Sequence, residues 1–237
     1  MLKTISDEAN LFDGSKALSR LFIENNRTSL SQWACIDLVY EKSSSDEDGK
    51  RKTENWKFDV IAISKTKPYR VAFIALKYGA KAFVNEKTIR EQIKAFHSFS
   101  KESIYEGQTG YEVILPELCS IAHTLSILGA EGVPQSFKEI SPEEFNPQPE
   151  FYIISLDDTR NKEGESHLKQ KLGTQLFKNN RWGGKKFSKY IATEGDYFDL
   201  FQHDPDFRLT FLFSESNLAA FKINDNDYIR EIVSLDP

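Results

Sequence analysis

Two charged residues stand in strongly apolar surroundings. Asp59 interrupts Trp56 to Ser64 (WKFDVIAIS), and Lys77 lies near the end of Tyr69 to Tyr78 (YRVAFIALKY). Both runs are rich in aromatic and β-branched residues and read as strands, with Thr66-Lys67-Pro68 as the turn between them. Alternation along a strand puts Asp59 on one face with Ile61 and Ile63, and turns Phe58, Val60 and Ala62 the other way. Tyr69, Val71, Phe73, Ala75 and Lys77 form one row on the next strand. A short hairpin brings the carboxylate and the ammonium together. Burying such groups is costly unless they pair, bind a metal or do chemistry. A structural ion pair, or Lys77 reaching out to solvent, is the ordinary outcome. A site that handles negative charge is the chemical one.

The elements around this pair follow from period and punctuation. Ala17, Leu18, Leu21 and Phe22 repeat at helical spacing within Ser15 to Asn25, with Asp13-Gly14 as turn and cap before them. Trp33 to Tyr40 reads as a first strand, and the polar run Ser43 to Lys52 as a solvated hairpin loop. With the two strands already described, this predicts an antiparallel meander. Val84, Ile89, Ile93, Phe96 and Phe99 then form a helical stripe from about Glu86 to Ser100, with Asn85 as N-cap. A second helix is expected over Tyr111 to Leu128, stopped by Gly129. The Pro-rich stretch Gly132 to Pro149 reads as a long surface connection. Phe151 to Leu156 and Arg208 to Phe213 read as further strands, and Asp227 to Leu235 as a last helix. The expectation is one α/β domain over 1–237: a central mixed sheet, antiparallel meander plus further strands, flanked by helices.

The stretch FDVIAI, then VAFIALKYG, then REQIKAF resembles the PD-(D/E)xK nuclease superfamily over roughly forty residues. The order helix, meander, helix, strand resembles its restriction-endonuclease-like core. In that family an Asp on the second strand is followed, one hairpin later, by Glu-x-Lys, and a helix soon afterwards often carries Gln. The matching residues are Asp59, then Ala75-Leu76-Lys77, then Gln92. The resemblance implies Mg²⁺, with Mn²⁺ as substitute, held by Asp59, the motif acid and the main-chain carbonyl of Leu76, with Lys77 as the catalytic ammonium. The fit to the chemistry is direct, because phosphodiester hydrolysis needs an activated water and neutralised charge in the transition state.

Position 75 departs from that pattern. Alanine has no oxygen to give, so the implied metal shell is one ligand short. Three readings compete: Ala75 standing in for a natural glutamate, changed to trap an uncut complex; an acid moved to the following helix as Glu91; or a degenerate member that binds without cutting. Glu91 lies fourteen residues after Lys77; an ordinary helix-surface carboxylate is the plainer reading. Glu24, near the end of the first helix, is a further candidate metal ligand by resemblance, against a solvated helix-end Glu. Gln92 is a candidate for hydrogen bonding to phosphate or backbone. His97, His123, His167 and His203 show no metal-ligand spacing.

Composition bounds the rest. The 237 residues include 18 Phe and 1 Met, carry a net charge of −5 and have a mean hydropathy of −0.50. Collagen, low-complexity disorder and a membrane protein are excluded on these figures. The start lacks the layout of a secretory signal. Cys35 and Cys119, each in an apolar run, read as buried free thiols, so a cytoplasmic location is expected. The acidic total hides a purely basic stretch. Between Ser166 and Thr193 no acid occurs, yet Lys169, Lys171, Lys178, Arg181, Lys185, Lys186 and Lys189 do, interleaved with Phe177, Trp182, Phe187 and Tyr190. Such a segment, an insertion at about 160–195, suits phosphate contacts plus stacking; a solvated basic loop is the alternative. The expected function is a Mg-dependent DNA endonuclease with a restriction or defence role. Its partner would be double-stranded DNA and its state a homodimer, one site per strand. The alternative is a non-catalytic nucleic-acid binding protein with a degenerate nuclease site.

Overall fold

The computed structural model describes residues 2–27, 31–43, 55–78, 86–105, 107–156, 162–163, 207–214 and 229–232. Helix α1 spans Leu2–Arg27 and is followed by strands β1 (Trp33–Ser43), β2 (Asn55–Ser64) and β3 (Val71–Tyr78). Then come α2 (Glu86–Lys101), a small hairpin β4 (Ser103–Tyr105) and β5 (Gln108–Thr109), and α3 (Gly110–Ile127). Strands β6 (Glu150–Leu156), β7 (Arg208–Ser214) and β8 (Ile229–Ile232) complete the order. The main sheet runs β1-β2-β3-β6-β7-β8. The first three strands are antiparallel, β3, β6 and β7 are parallel, and β8 pairs antiparallel with β7. The molecule is a mixed α/β protein with one mixed sheet flanked by helices. Among the described residues no helix is long and apolar enough to cross a membrane.

Each face of the sheet buries its own apolar set. On one side Ile61, Ile63, Phe73, Ala75, Phe151 and Ile153 pack against Ile93, Phe96 and Phe99 of α2 and Ile114 and Leu118 of α3. On the other, Val60, Ala62, Ala72, Ile74 and Ile154 meet Ala17 and Leu21 of α1. The side covered by α2 and α3 is the aromatic one. Phe58 sits among Tyr40, Phe73, Phe96 and Phe99, with centroids 4.5 Å from Phe73 and 5.0 Å from Phe99. That placement corrects the alternation read from sequence: Phe58 shares a face with Ile61, not with Val60.

Other expectations shift as well. Asp13-Gly14 lies inside α1 rather than before it; the helix has packing partners at that point, Gly14 standing beside Tyr78. The segment expected as a last helix contains strand β8, because β7 offers it an edge to pair with. The Pro-rich stretch is not merely a surface connection. It makes two short 3₁₀ turns, Gln135–Glu139 and Pro142–Glu144, and sinks Val133, Phe137, Ile140 and Phe145 into the aromatic side of the core. Tyr69 binds it: its N–H donates to Glu144 O (3.0 Å) and its carbonyl accepts from Asn146 N (2.7 Å). Both cysteines are free and buried; burial pushes the Cys35 thiol up to about 12 and the Cys119 thiol up to about 11, so neither is a reactive thiolate. The loop 44–52, Asn85 and the basic stretch Ser166 to Thr193 lie outside the described residues.

The far end of α1 is tied down by polar groups. Asn26 Oδ1 accepts from Cys35 N (2.8 Å) while its Nδ2 donates to Cys35 O (2.9 Å), mimicking a strand partner for β1. Gly132, at φ 76, passes so close that an added Cβ would lie 1.9 Å from Asn26 O. Gly129, at φ 67, has open space around it. Replacing Gly129 with Ala therefore costs only the left-handed backbone term, ~1 kcal/mol. Gly132→Ala adds a collision with a buried, bonded backbone and should cost upwards of ~3 kcal/mol. Urea denaturation of the two variants checks the contrast, and equal losses would contradict it.

Candidate active site

The site forms where the sheet divides. β2 and β3 pair from Ile63↔Val71 to Val60↔Ile74 and no further. Beyond that point β2 continues alongside β1 as far as Asn55, while β3 continues alongside β6 through Lys77↔Ser155 and Tyr78↔Leu156. Asp59 is the first residue of β2 past the division. Its Oδ2 accepts a hydrogen bond from Leu76 N at 2.7 Å, so the carboxylate takes the place of a strand partner. The N–H and C=O of one strand residue point to the same edge. The Leu76 carbonyl therefore faces the same notch.

Lys77 arrives from β3 on the α2 side, as the row from Phe73 through Ala75 dictates. Its Nζ donates to Gln92 Oε1 at 3.4 Å. Most of its stem is enclosed, and this burial lowers the ammonium's pKa below the usual lysine range, an effect that the Asp59 charge partly opposes. The unfolded chain binds this proton more tightly than the native state. The lysine's contribution thus favours folding more as pH rises through its lowered pKa toward the ordinary 10.5.

The remaining candidates are placed unevenly. Ala75 is buried beside Ile153 on the face that α2 covers. Gln92 joins the group through Lys77. Glu91, its neighbour on α2, is exposed and turned about 100° around the helix from Gln92. Glu24 is not brought near. The α1 residue beside the end of β3 is Gly14, and Glu24 lies ten residues on, ~15 Å further along the helix, next to the Asn25 and Asn26 anchors at the opposite end of the sheet. Of the histidines, His97 packs edge-on against Phe207 (5.3 Å) and His123 Nδ1 lies 2.7 Å from Lys138 O; neither is at the notch. His167, His203 and the seven basic residues from Lys169 to Lys189 lie outside the described residues.

The donor set does not complete a magnesium site. Asp59 gives one carboxylate and Leu76 one carbonyl, and Ala75 gives nothing. Among the described residues no group of three or more His, Cys, Asp or Glu is placed to hold a metal ion. What the notch offers is a carboxylate from β2 on one wall, and a main-chain carbonyl and a desolvated ammonium from β3 on the other. Sequence reasoning missed the role of the Leu76 amide, which no side-chain pattern announces. Comparison of the chain with protein-family models, curated proteins and solved structures gives no significant match.

The two opposing effects on Lys77 can be separated. Asp59→Asn removes the attracting charge yet keeps an oxygen to accept from Leu76 N, so burial acts alone. The Lys77 pKa should fall further, read from the ¹³C shift of the dimethylated lysine against pH. A pKa that rises or stays put would show that Asp59 does not face Lys77.

Proposed function

We propose that the chain is a PD-(D/E)xK-type nuclease with a restriction-endonuclease-like core, whose phosphodiester site lacks one carboxylate because position 75 is Ala. The observation that supports this most is the notch itself. Asp59, the Leu76 backbone and Lys77 come from two strands to the point where those strands part, and Gln92 reaches Lys77 from α2. A carboxylate facing a desolvated ammonium at an opening in the sheet suits a reaction in which negative charge develops on phosphoryl oxygens. With a glutamate at position 75, that side chain, Asp59 and the Leu76 carbonyl would be the groups to hold Mg²⁺, or Mn²⁺ in its place, whose chemistry there would be charge neutralisation and an acidified water. The chain's own residues do narrower work. Lys77 presents positive charge to the phosphoryl group, Gln92 holds its direction, and Asp59 with the Leu76 carbonyl supplies the oxygens present.

The substrate in this reading is double-stranded DNA, gripped through its phosphates by Lys169, Lys171, Lys178, Arg181, Lys185, Lys186 and Lys189, with Trp182 available for stacking. Cutting both strands calls for a homodimer with one site per strand. The role we assign to it is restriction or defence, in the cytoplasm. The second reading, a nucleic-acid binding protein that does not cut, is favoured by one observation: Ala75 brings no oxygen to the notch, and among the described residues no group of three or more His, Cys, Asp or Glu is placed to hold a metal ion. Glu91 keeps the first reading open without a change at 75, since it lies on the same helix as Gln92.

Plasmid cleavage in Mg²⁺ tests these readings. The chain as it stands should be inert, and Ala75→Glu should cut. Adding Asp59→Ala or Lys77→Ala to that active form should slow it by ~100-fold or more. If the unaltered chain cuts and Glu91→Ala stops it, the acid comes from α2. Inertness of every form, with tight and salt-sensitive DNA binding, would leave the binding protein. Separately, the double change Lys185→Glu, Lys186→Glu should weaken DNA binding and reduce its logarithmic salt slope by about 2. Unchanged affinity would remove that stretch from the interface.

A further inference from the structure

The partner strand of Asp59 carries an unusual backbone. Val39, in β1, has φ 55, a left-handed conformation that β-branched residues rarely adopt. The ladder has a bulge between Cys35 and Asp37 and is in register from Asp37 onward, with Leu38 opposite Val60 and Tyr40 opposite Phe58, which leaves Val39 abreast of Asp59. The faces are not regular. Leu38 and Val60 both pack toward α1, while Tyr40 and Phe58, two residues away, both lie in the aromatic core beneath α2 and α3. In an ordinary strand, residues two apart share a face. Both strands have therefore rotated about their axes within a single cross-strand step, and that step is Val39–Asp59.

This rotation bears on the site. Strand side chains stand roughly perpendicular to the sheet, whereas a backbone N–H lies in its plane. A carboxylate on a regular β2 would point out of the sheet, away from the Leu76 N–H. Asp59 reaches that N–H at 2.7 Å because β2 turns there. Val39 is half exposed and fills no core position, so packing of its side chain does not account for its conformation. We infer that Val39 is a positioning residue: its left-handed kink absorbs the rotation of the β1–β2 hairpin and turns the Asp59 carboxylate into the plane of the sheet. The inference rests on Asp59 being the site carboxylate, and it holds whether or not the chain cuts DNA.

The test follows the Leu76 amide proton by NMR in the full chain, with Asp59→Ala marking where that signal falls once its acceptor is gone. Gly and Asn tolerate positive φ. Val39→Gly and Val39→Asn should keep the Leu76 signal at its parental, downfield position and raise the urea midpoint. Proline locks φ near −65°; Val39→Pro should move the signal to its position in Asp59→Ala. In the Ala75→Glu background Val39→Pro should lower kcat at least tenfold with KM within twofold, and Val39→Gly should restore the rate. A folded Val39→Pro with the parental signal overturns the inference. If Val39→Pro does not fold, the other two decide: a lowered midpoint or a displaced Leu76 signal in either overturns it. Failure of the nuclease reading looks different. There, Ala75→Glu does not cut while the Leu76 signals follow the pattern above.

Discussion

The hydrogen bond from Leu76 N to Asp59 Oδ2 is the constraint around which the site is arranged. It closes the sheet chemically at the place where β2 and β3 stop pairing. A buried N–H without a partner costs about as much as a lost hydrogen bond, so the strands could not separate there unless something took the ladder's place. A carboxylate does this well, since bonds to charged acceptors are the stronger kind. The same bond leaves Asp59 with its second oxygen, and the Leu76 carbonyl beside it, facing a gap between strands.

The rest of the fold holds that gap in shape. Phe58, next to Asp59, is locked among Phe73, Phe96 and Phe99, which fixes β2 on the near side of the division. Ile153 and Phe151 hold β3 against β6 on the other side. Helix α2, anchored by Ile93, Phe96 and Phe99, presents Gln92 to Lys77 from above. The charge balance is local. Burial weakens Lys77's hold on its proton, and Asp59 restores part of it. Neither group makes sense at this depth alone.

Much of this was legible from residue order. The three-strand meander, the two helices after it and the strand at Phe151 to Leu156 follow from period and composition, and Asp59 and Lys77 drew notice as charges in apolar runs. What escaped was non-local. The rotation at Val39 and Asp59 leaves no mark on sequence, because Val39 is unremarkable in a strand and the cause lies across the hairpin. It also put Phe58 on the unexpected face. The burial of the Pro-rich stretch depends on Tyr69 offering both its backbone groups, and β8 depends on an open edge of β7. Glu24 illustrates the converse: helix content was readable, but α1's direction along the sheet was not, and that direction puts Glu24 far from Lys77.

We propose that the notch is a metal-assisted phosphodiester site missing one carboxylate. Manganese ion, followed through paramagnetic broadening of the backbone amides, tests it most directly. In the chain as it stands, Mn²⁺ at a few equivalents should leave the Leu76 amide sharp. In Ala75→Glu the amides of Leu76 and Asp59 should broaden first, and Asp59→Asn should abolish the effect. Equal broadening of Leu76 in the two forms, or none in either, would contradict the claim.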